Sequence, residues 1–109
     1  MTEKPLFIPL KGEYFDRFER GEKSEELRRW GPRWNMDTCR PGREVVLSRG
    51  YGKQKRLRAL IWKYVRAPGH KQPREHHEDI IAVFGSLDVD VARICLSCIG
   101  PMPTGDTTP

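Results

Sequence analysis

The sequence predicts an α+β domain: a small, mixed, mostly antiparallel sheet of about five strands that curls into an open barrel, with one or two short helices. Three observations carry this. Apolar residues recur at period two over 56–65 and 90–99, which is strand spacing. Residues 11–20 instead place Tyr14, Phe15 and Phe18 on one side and Glu13, Asp16, Arg17 and Glu19 on the other, which is helical spacing. Most connections are too short for parallel crossovers, and five curved strands in a small domain tend to close on themselves.

The elements follow in order. Residues 5–9, PLFIP, read as a first strand bracketed by prolines, where a strand tolerates them. The helix over 11–20 stops at Gly21, because glycine takes a left-handed backbone at no steric cost. Its aromatic stripe is core packing. Residues 24–30 alternate again, with Ser24, Glu26, Arg28 and Trp30 on one face and Glu25, Leu27 and Arg29 on the other. GPRWNMDTCRPG, 31–42, is dense in turn formers. A strand over 43–49 runs into the tight turn GYGK, 50–53. The longest strand, 56–65, sets Leu57, Ala59, Ile61 and Val65 against Arg56, Arg58, Trp62 and Tyr64. A polar loop over 66–77 precedes a helical turn over 78–84 that ends at Gly85, and a last strand covers 90–99. Residues 1–99 form the single domain, and 100–109 a tail with little to pack, expected to be disordered.

Composition narrows the function classes. With 37% hydrophobic and 32% charged residues, the 109-residue chain suits a small globule with a charged surface. No apolar run approaches the roughly 20 residues of a membrane span, and the N-terminus lacks a signal-peptide pattern. Three cysteines, Cys39, Cys95 and Cys98, are an odd count that points to free thiols in a reducing cytoplasm. The net charge of +5 is unevenly spread. Residues 1–39 balance 8 basic against 8 acidic side chains, 40–74 hold 11 basic and one acidic (Glu44), and 75–109 hold one basic and 6 acidic. The basic middle block favours a polyanionic partner, since neutralised phosphates release condensed counterions. A merely solvated basic surface is the alternative.

Several candidate sites compete. CLSC, 95–98, has CxxC spacing, but on a strand the two thiols point to opposite faces and no second CxxC exists, so both read as buried structural thiols. His76 and His77 lie beside Glu75, Glu78 and Asp79, where a general base or a plain polar loop would fit. No metal site or cofactor-binding loop is called for. RGYGK lets a backbone approach a phosphate, or a base stack on Tyr51, with Arg49 and Lys53 flanking. Lys53, Lys55, Arg56 and Arg58 extend that basic side. On the strand over 24–30, Glu26, Arg28 and Trp30 share a face, with Lys23 just before it. The carboxylate can accept from an exocyclic amine, the guanidinium can fork onto oxygens, and an indole can stack. An edge strand protected by charge is the other reading.

The helix EYFDRFERGEK, then Gly21, Lys23, Ser24, Glu26 and Arg28 in a G-x-K-[ST]-x-E-x-R pattern, then the loop WGPRWN and the strand ending in GYGK, together resemble the ASCH domain family. The resemblance runs from about residue 6 to 99, is strongest over 6–53, and is closest to small stand-alone members from phages and bacteria. It implies a PUA-like fold, a cleft beside the barrel faced by the signature Lys, Glu and Arg, and binding of single-stranded RNA, a nucleotide or a nucleoside. Some members hydrolyse the acetyl amide of acetylated cytidine with a lysine, a threonine and a glutamate; others are linked to RNA cleavage. Lys23 occupies the lysine position. The threonine, three positions on, is replaced here by Glu26, and Ser24 does not stand at that position. The downstream glutamate would be Glu75 or Glu78. The expected function is therefore an RNA- or nucleotide-binding module, with Lys23, Glu26, Arg28 and Tyr51 lining a pocket. The alternative is a small hydrolase of a modified nucleoside or of RNA in which Lys23 and Glu26 are catalytic. An adaptor meeting an acidic protein partner is the third option.

Overall fold

The computed structural model describes residues 3–51 and 55–102. Five strands form one mixed sheet: β1 (Leu6–Leu10), β2 (Glu25–Arg29), β3 (Glu44–Arg49), β4 (Arg56–Pro68) and β5 (Asp90–Pro101). Their spatial order is β1-β3-β4-β5-β2. Only β1 and β3 run parallel; the other neighbours are antiparallel. The chain therefore joins β1 to β3 by a long crossover, as a parallel pair requires. That crossover holds helix α1 (Gly12–Glu19) and β2 itself, which sits on the opposite edge. The sheet curls until its two edges face each other: on β2, Arg28 donates from its guanidinium to the Pro9 carbonyl of β1 at 2.6 Å. The result is the expected α+β open barrel, a half-barrel with a seam between β1 and β2.

Alternation decides what fills it. Ile8, Leu10, Val45, Leu47, Leu57, Ala59, Ile61, Ile94 and Leu96 point inward and are buried. Phe15 and Phe18, one turn apart on α1, enter the same core and plug the concave side. Burying two phenyl rings fully contributes about 3–6 kcal/mol by transfer from water, so α1 belongs to the core and is no detachable appendage. α1 ends as expected, with Gly21 at φ +78°.

The long strand departs from strict alternation. β4 carries register shifts against β5 between Arg58 and Leu60 and between Ile61 and Lys63. Such a bulge inserts one residue and flips every later side chain to the other face. Tyr64, expected beside Trp62 on the outer face, therefore turns into the core, and Val65 is left half-buried. Burial pushes the Tyr64 phenol up to about 12, and its hydroxyl donates to the Trp34 carbonyl at 2.9 Å. β4 also runs on to Pro68, with Arg66 paired to Asp90, where a loop was expected from residue 66.

After β4, two 3₁₀ turns (Gly69–Lys71 and Arg74–His76) lead into helix α2 (His77–Phe84). α2 stops at Gly85, φ +85°. β5 reaches Pro101, beyond Ile99 where the domain was expected to end. Cys39 and Cys95 are buried, but Cys98 is exposed with φ +54° in the irregular part of β5, so it is not the buried thiol the apolar run suggested. No helix among the described residues is long and apolar enough to cross a membrane.

Candidate functional site

The seam between β1 and β2 is a cleft of about 330 Å³. β1 contributes Pro9 and Leu10, α1 contributes Tyr14, α2 contributes Asp79 and Ala82 to Phe84, and β2 forms the floor with Glu26, Leu27 and Arg28. Lys23 enters just ahead of β2. The cleft exists because β2 is an edge strand that reaches its place only through the crossover.

Glu26 is the centre of the polar cluster. It points inward, is only 6% exposed, and accepts from Arg28 Nε at 2.7 Å. Lys23 Nζ lies 4.0 Å from its other oxygen. A carboxylate this buried survives only with such partners. Arg28 uses the rest of its fork on the Pro9 carbonyl and lays its guanidinium on the Trp34 ring, 4.7 Å from the centroid. Lys23 sits over the Phe18 ring at 5.3 Å and donates to the Glu25 carbonyl. Burial pulls its ammonium below the usual lysine value, against the opposing pull of Glu26 and Asp79.

The floor also offers backbone groups. The Ser24 carbonyl accepts from Leu96 N at 2.9 Å, and Trp30 N donates to the Asp90 carbonyl at 3.0 Å. With Glu26 opposite Ile94 and Leu27 opposite Arg93, even-numbered residues of β2 bond to β5. The N–H and C=O of Leu27 therefore face the free edge, inside the cleft. This edge thus offers a donor and an acceptor on the backbone, a carboxylate and two cations, while the Trp34 indole supports Arg28 and does not line the cleft.

A second, more polar depression of about 280 Å³ adjoins the cleft and shares Lys23 and Asp79 with it. Ser24, Glu25, Glu75 and His76 line it. His76 bonds through Nε2 to Glu25, whose second oxygen accepts from Arg93 at 3.1 Å. Arg93 Nε in turn donates to the buried Gln72 at 2.9 Å. This chain of bonds ties the segment before α2 to β2 and so sets Asp79 at the cleft. His76 thus pairs with Glu25, fifty-one residues away, and not with its acidic sequence neighbours. Burial raises the Glu25 carboxyl, but His76 and Arg93 outweigh it and hold it below the usual glutamate range.

The structure brings Lys23, Glu26 and Arg28 together as their spacing suggested. Trp30 stands elsewhere, 37% exposed at the far end of β2, with Arg66 stacked on its ring at 3.6 Å. The indole that meets Arg28 is Trp34, from the same WGPRWN loop, held in place by Tyr64. Of the downstream carboxylates, Glu75 reaches only the adjoining depression, and Asp79 lines the cleft. The basic candidates do not line the cleft. Arg49 pairs with Asp16 at 3.3 Å and Lys55 with Glu19 at 2.5 Å. Tyr51, 71% exposed, leans on Phe7 with ring centroids 6.2 Å apart. Arg56 and Arg58 stand on the outer face of β4. Lys53 lies outside the described residues. Sequence reasoning missed Trp34, Asp79 and the Leu27 backbone. Asp79 had one usable signal, its place in the first turn of a short helix that had to pack somewhere.

Among the described residues, no group of three His, Cys, Asp or Glu side chains is placed to hold a metal ion. Burial pushes the Cys95 thiol up to about 11, with Glu25 adding to the shift, so it is a poor nucleophile where it stands. No family model, curated protein or solved structure matches this chain.

Proposed function

We propose that the chain is an ASCH-type, PUA-like module that binds RNA or a nucleotide, taking a base or nucleoside into the cleft at the barrel seam. One observation carries the reading: the buried Glu26 carboxylate, held between Lys23 and Arg28, beside the unpaired edge of Leu27. A purely protective edge charge would sit in solvent. Here three charged groups are gathered around a concavity large enough for a small aromatic ligand. Glu26 accepts from an exocyclic amine, Leu27 adds a donor and an acceptor, and Arg28 and Lys23 meet oxygens or phosphate. The test is an NMR titration with nucleosides, nucleotides and short single-stranded RNAs. Amide signals of Lys23, Glu26, Leu27 and Arg28 shift together on binding, and Lys23→Glu with Arg28→Glu abolishes the effect. If those signals stay still at low salt, the reading is wrong.

A hydrolase of a modified nucleoside or of RNA is the second reading, favoured by the desolvated Lys23 facing Glu26 and Asp79. A lysine with a lowered pKa is a better general base at neutral pH. Purified protein is then assayed for deacetylation of acetylated cytidine and for RNA cleavage. Turnover that vanishes in Lys23→Ala supports catalysis here; turnover that survives both Lys23→Ala and Glu26→Ala places it elsewhere.

A further inference from the structure

We propose that the convex face of β1, β3 and β4 is a stacking platform for single-stranded nucleic acid, a surface distinct from the cleft. Register defines this face. Phe7, Val46 and Arg58 stand side by side across the three strands, while their neighbours Val45, Leu47, Leu57 and Ala59 are buried on the concave side against α1. Further along β4, the same convex face carries Leu60, 37% exposed, and Trp62, 57% exposed. At the other end, Tyr51 leans on Phe7, and Arg56 lies over the Phe7 ring at 5.4 Å. Plain alternation from Arg58 through Leu60 presents Trp62 here, and the bulge acts on the residue after it. The bulge leaves Lys63 exposed beside Trp62, with the ammonium 5.9 Å from the indole centroid.

An antiparallel sheet needs only one covered face, but an uncovered one is normally polar. This one combines the rings of Phe7, Tyr51 and Trp62 with Arg56 and Arg58 and the apolar Val46 and Leu60, and among the described residues of these strands only Glu44, opposite Leu60, adds an acidic side chain to it. Sheet rise and strand spacing put Phe7 and Trp62 roughly 15 Å apart. Such a stripe accommodates a run of about four nucleotides, the lower end of what small barrels hold. Bases of any identity stack on indole and phenyl faces, and the guanidiniums between them meet the phosphates. Charge favours this occupant over a second copy of the chain, because stacking two such faces brings Arg56, Arg58 and Lys63 of each, balanced only by Glu44, against another net-positive surface. The proposal extends the nucleotide-binding reading to longer strands, yet its geometry does not depend on the cleft.

The experiment is fluorescence anisotropy of labelled oligomers of about twelve residues at low salt: uridine RNA, thymidine DNA and an abasic deoxyribose-phosphate strand. Wild type is compared with Trp62→Ala, Trp62→Phe and the cleft variant Lys23→Ala, with a mononucleotide titration in parallel. Trp62→Ala weakens both base-bearing oligomers about tenfold, Trp62→Phe stays near wild type, and the abasic strand binds more weakly than either. Mononucleotide binding is the same in Trp62→Ala as in wild type. The platform is overturned if no oligomer binds, or if Trp62→Ala binds like wild type. It is also overturned if the abasic strand binds as tightly as the others, which marks a general polyanion or acidic-protein surface. If Lys23→Ala changes nothing while Trp62→Ala weakens the oligomers, the cleft reading fails and the platform stands.

Discussion

Glu26 and Arg28 are two positions apart on β2, and that spacing gathers their charges on one face of an edge strand. The pair also holds the fold, because Arg28 closes the seam to Pro9 while neutralising a buried carboxylate. Removing Arg28 leaves Glu26 with Lys23 at 4.0 Å. Arg28→Met is expected to cost about 1.5–3 kcal/mol in urea unfolding, the range for losing a charge-assisted bond from a buried group. Adding Glu26→Gln recovers part of that loss, because the stranded charge is gone; a double-mutant cycle gives the coupling. Glu25, on the other face, makes a prediction in pH. Its folded pKa lies below the ordinary 4.5, because His76 and Arg93 outweigh its burial. A depressed carboxyl stabilises the fold above the unfolded value and loses that contribution as pH falls through the folded one. Wild type is therefore expected to lose stability on acidification below pH 4.5 more steeply than Glu25→Gln, as read by denaturant midpoints across that range.

At the scale of elements, periodicity carries as far as a single strand or helix and no farther. The apolar alternation of 56–65 and the aromatic stripe of 11–20 are local, so both elements were legible. The bulge at Trp62 was not, because an extra residue in one strand is defined by its partner, β5. That one insertion reversed Tyr64, and through its bond to Trp34 it placed the indole beside Arg28. The site follows the same rule. Lys23, Glu26 and Arg28 are legible as a local pattern, while Asp79 and Trp34 arrive on other elements that only tertiary packing brings near. The tight join after β4 gives this scale its prediction. At Gly69 a Cβ would lie 2.9 Å from the Leu87 carbonyl oxygen and 3.0 Å from Ile80 Cγ2, so backbone and a buried α2 side chain would both have to move. Gly69→Ala is expected to destabilise by about 1–3 kcal/mol, seen as a lower Tm. Because α2 carries Asp79, the same variant weakens any ligand of the cleft more than one of the convex face.

For the molecule as a whole, the basic block of 40–74 looks stronger in sequence than it is in space. Among the described residues, at least five of its eleven cations meet carboxylates from other segments: Arg40 and Arg43 with Glu3, Arg49 with Asp16, Lys55 with Glu19, and Arg66 with Asp90. The neutral first third of the chain is thus folded against the basic middle, and part of the formal charge is internally balanced. An oligonucleotide that contacted every cation would release counterions with a log K against log salt slope of about −7 or steeper, at about −0.7 per phosphate on a single strand. Setting those five aside leaves at most six of the block's eleven cations to release counterions, and Lys71 and Arg74 among them lie on the turns before α2. The expected slope for a single-stranded oligomer is therefore about −4 or shallower, measured by anisotropy at stepped salt concentrations. A slope near −7 means that the ion pairs open to phosphate and that the whole block acts as one electrostatic surface. A shallow slope, with affinity kept at moderate salt, locates the binding energy in stacking on Trp62 and Phe7 and in the polar contacts of the seam.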